Sequence, residues 1–79
     1  MESFGERLKR LRSRKVWTQV ELAEKSRLPV ITISRLENGY NNGSPRQSTV
    51  ERLSSALGVS RTYLLFGEDE ESRHPDESE

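Results

Sequence analysis

The sequence predicts an all-α domain of five helices. The prediction rests on two capping boxes and on the helical spacing of the apolar residues. Ser3 precedes Glu6 by three residues, and Thr18 precedes Glu21 by the same interval. A hydroxyl and a carboxylate at this spacing satisfy two free amides at the start of a helix. Apolar residues then recur at three- and four-residue intervals between glycine, proline and asparagine, which is the helical rather than the strand period.

The first helix is predicted to open after Ser3 and to end near Lys15. Phe4, Leu8 and Leu11 fall on one stripe, which predicts an inward face. The basic residues are expected mostly on its solvent side: Arg7, Lys9, Arg10, Arg14 and Lys15.

The second helix is predicted to begin at Thr18, and Trp17 and Leu22 are placed to form a hydrophobic staple across its start. Pro29 suits the first turn of a third helix, which Gly39 and the asparagine before it end. Residues 30–33 are all β-branched, and propensity alone would make them extended. The flanking proline and glycine outweigh that preference, so we expect a helix.

The fourth helix is predicted over Gln47 to Leu57, where Gly58 ends it, and Ser60 caps a short fifth helix. The loop before the fourth helix carries Asn-Gly and Ser-Pro pairs, which are typical of turns. The predicted core consists of Trp17, Leu22, Ala23, Ile33, Leu36, Val50, Leu53 and Leu57.

Composition excludes several classes of function. A chain of 79 residues without cysteine has no disulfide framework and no thiolate metal site, and His74 is its single histidine. No metal or cofactor is therefore expected, and the small size of the chain disfavours an enzyme. No apolar run approaches the length of a membrane span or of a signal-peptide core, so a cytoplasmic protein without membrane contact is expected.

The net charge of zero is a sum of two opposite segments. Residues 1–66 carry 12 basic and 6 acidic side chains, whereas residues 67–79 carry 1 and 7. We therefore expect a basic folded domain at 1–67 and an acidic, disordered tail at 68–79. The tail either promotes solubility or competes with a polyanion for the basic surface, and the sequence leaves both open.

Four segments carry a resemblance to a known family. The segment TQVELAEKSRLPVITISRLENG (residues 18–39) resembles the helix-turn-helix of the Xre, lambda-repressor and Cro-like family. FGERLKRLR (4–12), PRQSTVERLSSALGVS (45–60) and RTYLLFGE (61–68) resemble the family's first, fourth and fifth helices in register. The resemblance implies a compact five-helix, lambda-repressor-like domain, with the helix-turn-helix at helices two and three. It also implies a Cro-like or controller-type regulator that binds double-stranded DNA with a recognition helix at about 29–38.

The family register implies that Val30, Ile31, Ser34 and Arg35 contact bases. A guanidinium at Arg35 can donate two hydrogen bonds to O6 and N7 of guanine, although it could instead touch phosphate. Val30 and Ile31 replace residues that are often polar in relatives, and their shape suits the methyl groups of thymine. The alternative for Ile31 is a place in the core.

Phosphate contacts are implied on both sides of the groove. Gln19 is the contact most typical of the family, at a helix end whose free amides favour an anion. The full predicted set is Thr18, Gln19, Thr32, Asn38, Tyr40, Asn41, Asn42, Ser44 and Arg46. A polar loop would have the same composition without DNA.

Two further features follow from the resemblance. Arg12 and Glu37 match a pair that bridges helix one to the end of helix three, so we assign them to architecture. Ser26 and Arg27 depart from the family's usual apolar residue and glycine in the turn. Arg27 therefore either adopts a strained left-handed backbone or shows a turn built differently.

The family usually binds pseudo-palindromic operators as a homodimer. The fifth helix is the predicted interface because its residues are too apolar to bury entirely in one small domain. The predicted contacts are Val59, Arg61, Tyr63, Leu64, Leu65 and Phe66. These residues could instead close the monomer's core. A second class of function also stays open, namely a module that binds RNA polymerase, a toxin or another protein partner.

Overall fold

Five helices account for most of the chain that the computed structural model describes, which is residues 2–39 and 45–67. They are α1 (Phe4–Arg14), α2 (Gln19–Ser26), α3 (Val30–Glu37), α4 (Gln47–Leu57) and α5 (Arg61–Phe66). These two ranges contain no strand. The all-α prediction is confirmed, and so are the predicted positions of all five helices.

Local hydrogen bonds set where the helices begin. The Ser3 hydroxyl accepts from the Glu6 amide at 3.1 Å, and the Glu6 carboxylate accepts from the Ser3 amide at 2.8 Å. Thr18 and Glu21 repeat this exchange at 3.0 and 2.8 Å. Both predicted capping boxes are confirmed, and each cap contributes about 0.5–2 kcal/mol to stability.

Left-handed residues close three of the helices. Gly58 ends α4 with φ 74° and Gly67 ends α5 with φ 84°. Arg27 ends α2 with φ 61° and ψ 40°. Of the two alternatives for this turn, the strained left-handed backbone is therefore the one observed. The cost of this conformation is about 1–2 kcal/mol. The third helix begins one residue after Pro29, so this proline is the extended N-cap of α3 and not a residue of its first turn as predicted.

The core lies where α3 packs on α1 and α2 and where α5 packs on α1 and α4. Every predicted core residue is buried except Trp17, which is half-buried and packs against the cluster. The buried apolar residues are Leu8, Leu11, Leu22, Ala23, Ile33, Leu36, Val50, Leu53, Leu57, Tyr63 and Leu64. None of the described helices has the length and apolar character needed to cross a membrane.

The prediction that Arg7 faces solvent is wrong. Its side chain is buried between α1 and α5, where the guanidinium donates to the backbone oxygens of Leu64 at 2.9 Å and Leu65 at 3.1 Å. The last carbonyls of a helix lack partners within it, and a cation at this end also complements the helix dipole. Arg7 therefore fastens α5 to α1.

The prediction that Tyr63 and Leu64 contact a second copy is also wrong. Tyr63 is 6% exposed and Leu64 is 0% exposed, because both side chains fill the space between α5, α1 and α4. The alternative, closure of the monomer's core, holds for these two residues. Phe66 is 67% exposed and stays available to a partner.

Gly5 lets α1 and α3 approach at backbone distance. A Cβ at this position would meet the carbonyl oxygens of Leu36 and Glu37 at the end of α3. Neither oxygen can move aside without shifting the helix, so the absence of a side chain at Gly5 sets the spacing of the two helices.

An ion pair joins the end of α1 to the end of α3, as the resemblance implies. Arg12 donates to both carboxylate oxygens of Glu37, at 2.7 Å from Nε and 3.0 Å from Nη2. The two side chains are 13% and 3% exposed. The hydrogen bonds to Glu37 raise the pKa of Arg12, and its Nη1 also donates to the Trp17 carbonyl at 2.7 Å. The predicted architectural role of this pair is confirmed.

Replacing Glu37 with alanine is expected to destabilise the domain by about 3–5 kcal/mol, because it leaves the Arg12 guanidinium nearly buried without a counter-charge. Thermal unfolding followed by circular dichroism measures the loss. Glu51→Ala is the matched control, because Glu51 pairs with Arg61 where both side chains are about half exposed, and such a pair contributes about 0–1 kcal/mol. Equal, small losses in both variants would contradict the role given to Glu37.

Candidate nucleic-acid interface

The outer face of α3 is the candidate interface, and its geometry follows from burial on the opposite face. Ile33 is 0% and Leu36 8% exposed, so these side chains fix α3 to the core. At 100° per residue, the remaining arc of the helix presents the four predicted base-contacting residues together. They are Val30, Ile31, Ser34 and Arg35.

Three of those four side chains are exposed. Val30 is 43% and Ile31 52% exposed, Arg35 is exposed, and Ser34 is half-buried. The alternative placement of Ile31 in the core is therefore wrong. Two adjacent β-branched side chains on the surface of a small domain are an unfavourable exposure that contact with another molecule would relieve.

The start of α2 lies beside the end of α3. Gln19, the first residue of α2, donates from Nε2 to Glu37 Oε1 at 2.9 Å. An amide nitrogen carries two hydrogens, so Gln19 can keep this bond and still donate to a phosphate. The Thr18 hydroxyl accepts from Glu21 in the capping box and keeps its own hydrogen to donate.

The remaining predicted phosphate contacts fall into two groups. Thr32 is half-buried on α3, whereas Asn38 follows α3 and is exposed, as is Arg46, the N-cap of α4. Tyr40, Asn41, Asn42 and Ser44 lie outside the described residues, as does the acidic segment 68–79. Their predicted roles stay predictions.

The electrostatics of the described residues favour an anionic partner. Basic residues exceed acidic ones by 12 to 6, and most of the carboxylates are already bound within the fold. Glu6 and Glu21 accept from helix-start amides, and Glu37 and Glu51 pair with arginines. Positive charge is therefore in surplus at the surface.

Glu2 pairs with Arg10 of α1. Its carboxylate accepts from Arg10 at 2.6 and 3.1 Å, and these hydrogen bonds lower the pKa of Glu2. Arg10 also donates to the Tyr63 hydroxyl at 3.2 Å. The Arg10 guanidinium is thus held by the N-terminal segment and α5, while its side chain stays partly exposed.

Two lysines near the start and end of α2 pack on one indole ring, an arrangement that sequence reasoning missed. The ammonium groups of Lys15 and Lys25 lie 5.6 and 5.1 Å from the centre of the Trp17 ring. Cation–π contact restrains a flexible lysine while its charge stays near the surface. Lys15 lies two residues before Trp17, which only weakly indicates a contact between them. Lys25 is eight residues away, and the sequence does not indicate its contact with the ring.

Comparison with known proteins agrees with this geometry. The family described as Helix-turn-helix matches residues 8–64, a range that contains α2 and α3 entirely. The HTH-type transcriptional repressor RghR of Bacillus subtilis (strain 168) is 39% identical over 66 residues, 84% of this chain and 48% of its own length. The HTH-type transcriptional regulator ImmR of the same organism is 39% identical over 71 residues, 90% of this chain and 54% of its own.

A third relative matches almost the whole chain. The uncharacterized HTH-type transcriptional regulator RghRB of Bacillus subtilis (strain 168) is 32% identical over 77 residues, 98% of this chain and 55% of its own length. The chain thus spans about half the length of the curated relatives it matches. The family match over residues 8–64 and the identity to these relatives confirm the resemblance carried by residues 18–39: the chain belongs to the Xre/Cro-like helix-turn-helix family.

Proposed function

We propose that this chain is a regulator of transcription that binds double-stranded DNA sequence-specifically, with α3 in the major groove. The observation that carries the proposal is the division of α3 into two faces. Its inner face is fixed by Ile33, Leu36 and Glu37, while its outer face exposes side chains able to contact base edges. A helix of this kind fits the width of the major groove. The regulator and repressor names of the relatives support the same function.

Base reading rests on two kinds of contact. Arg35 would donate two hydrogen bonds to a guanine, and Val30 and Ile31 would pack on thymine methyl groups. Ser34, one turn after Val30, can donate to or accept from either base. The exposure of Val30 and Ile31 supports this assignment, because an apolar side chain on the surface gains stability when it packs against another apolar group.

Phosphate contacts would position α3 without reading sequence. Gln19 is suited to this because Glu37 already orients its amide at 2.9 Å. Thr18, Thr32, Asn38 and Arg46 add donors from the described residues, and Tyr40, Asn41, Asn42 and Ser44 would add theirs from the segment between α3 and α4. The surplus of basic residues supplies the attraction that brings the domain to DNA.

A homodimer would give the complex its length and affinity. Phe66 is 67% exposed at the end of α5, and its chain neighbour Leu65 lines a groove between α4 and α5 together with Pro45 and Val50. In a twofold dimer the same patch meets itself, so Phe66 of each copy would cover the other's apolar surface, with Val59 and Arg61 alongside. The operator would then be pseudo-palindromic, with half-sites about 34 Å apart. A protein that regulates transcription must reach the DNA, and the cytoplasm stays its predicted location.

The second candidate function is a protein-interaction module. The exposed Phe66 favours it, since a partner such as RNA polymerase could bind the same apolar surface. The dependence of binding affinity on salt concentration distinguishes the two functions. Binding to DNA through several phosphates weakens steeply as salt rises, whereas binding through an apolar protein surface changes little.

Selection of bound duplexes from a random pool tests the proposed function. The wild type should enrich a defined sequence, and Arg35→Ala should lose the preference at one or two base pairs, a change of about 1–3 kcal/mol in discrimination. Arg14→Ala is the control, because this exposed arginine lies on α1 and should leave the base preference intact. An unchanged preference in Arg35→Ala would remove Arg35 as a reader, and no enrichment by the wild type would contradict sequence-specific binding.

Replacing Phe66 with glutamate should weaken self-association and operator binding together, because each copy would bring a charge to the twofold interface. Sedimentation equilibrium measures the association, and thermal unfolding should change little since Phe66 is already exposed. Val20→Glu introduces the same charge on α2, where the side chain is 54% exposed, and should leave self-association intact. Identical sedimentation of wild type and Phe66→Glu would exclude this interface.

Truncation after Gly67 removes seven acidic residues and one basic residue. We expect nonspecific DNA affinity to rise at low salt, because the acidic segment no longer competes for the basic surface. Fluorescence anisotropy with a random-sequence duplex measures the change. A full-length variant with Asp and Glu in 68–79 changed to Asn and Gln should behave like the truncation, and unchanged affinity in both would return the segment to a role in solubility.

A further inference from the structure

The turn between α2 and α3 contains an arginine in a backbone conformation that favours glycine. Arg27 has φ 61° and ψ 40°, and the Leu28 amide closes the turn by donating to the Ala23 carbonyl at 3.0 Å. Gly58 and Gly67 end α4 and α5 in the left-handed region without a Cβ. A glycine at position 27 would form the same turn without strain. Val16, at φ 62°, is the other non-glycine residue of the described ranges with a left-handed backbone. Strain can mark a side chain that has a function, and the case for Arg27 rests further on its charge and its position.

Nothing in the described fold requires the Arg27 side chain. Its neighbours point inward, with Ser26 2% exposed and Leu28 packed against the core, whereas Arg27 itself is exposed. Within residues 2–39 and 45–67, no carboxylate forms an ion pair with its guanidinium, in contrast to Arg10, Arg12 and Arg61. The arginine therefore brings strain to the monomer without an ion pair that offsets it.

Its position places a cation at the leading end of α3. Leu28 and Pro29 alone separate Arg27 from Val30, the first residue of that helix. In a helix-turn-helix the N-terminal part of the second helix is the part that approaches the bases, so this turn lies near the edge of the groove. Arg52 on α4 donates to the Arg27 carbonyl at 3.0 Å, which fixes the turn and adds a second positive charge there.

We propose that Arg27 is a phosphate-binding residue of the interface, retained in place of glycine because its guanidinium contacts the DNA backbone beside α3. The inference rests on the proposed DNA-binding function and adds a contact outside α3. Since the residue precedes the base-reading face, it strengthens binding to every sequence and reads none. Its replacement should make the free protein more stable and its complex with DNA weaker.

The test compares Arg27→Gly, Arg27→Asn and Arg27→Lys, using the duplex that the wild type enriches most. Arg27→Gly should raise the Tm by about 4–8 °C, because relief of the left-handed strain outweighs the greater entropy of glycine in the unfolded chain. It should weaken DNA binding roughly two- to tenfold and reduce the slope of log K against log salt by about 1, with unchanged base preference. Arg27→Asn tolerates the left-handed backbone but has no charge, so it should match the glycine variant in binding. Arg27→Lys should retain the salt slope.

Lys9→Gln is the control for net charge, because it removes one exposed cation from α1, outside the helix-turn-helix. Wild-type affinity and salt slope in Arg27→Gly would overturn the inference while leaving the proposed function intact. An equal loss of slope in Lys9→Gln would overturn it too, since the effect would then belong to net charge. Absence of DNA binding by the wild type would overturn the proposed function and this inference with it.

Discussion

The carboxylate of Glu37 is the group on which the arrangement of the first three helices depends. It lies at the end of α3 with its side chain 3% exposed, and it accepts from Arg12 on α1 and from Gln19 on α2. Burying a charge is costly, but the bidentate, charge-assisted bonds from Arg12 offset that cost. Because Arg12 also holds the Trp17 carbonyl, one cluster ties together the end of α1, the link to α2, the start of α2 and the end of α3. The outer face of α3 is therefore presented by a rigid support.

Departures from ordinary folding rules lie in the link before α2, where Val16 is 86% exposed with φ 62°, in the turn between α2 and α3, and on α3 itself. Val30 and Ile31 expose apolar surface, and Arg27 adopts a left-handed backbone despite its Cβ. Helices α4 and α5 instead end at glycines and bury their apolar faces, apart from Phe66. A sequence that folds well satisfies local and global preferences together, and violations gather where a surface serves another molecule. The exceptions at Arg27, Val30 and Ile31 are consistent with the surface that the family resemblance implies.

Residue spacing predicts what depends on neighbours within a few positions, and fails where the partner is distant in the chain. The capping boxes of Ser3 and Thr18 are local, so their positions follow from spacing alone. The prediction for Arg7 is wrong because its acceptors are carbonyls 57 and 58 residues away, and a helical pattern gives no sign of them. The prediction for Tyr63 is wrong for a related reason, since the space that its side chain fills exists only once α5 packs on α1 and α4. The pairing of Arg12 with Glu37 came from the family resemblance and not from spacing.

The size of the domain limits how many such departures it can contain. Small domains have total stabilities of about 5–15 kcal/mol, and a left-handed arginine alone costs about 1–2 kcal/mol. Polar clusters therefore matter more here than in a large protein: the Glu37 cluster and the bonds from Arg7 to α5 fix the helices where the core is small. Only a few strained or exposed residues are compatible with a stable fold of this length. A conformational cost at Arg27 is thus a larger fraction of total stability than it would be in a larger domain, and its persistence without an ion pair points to a role outside the fold.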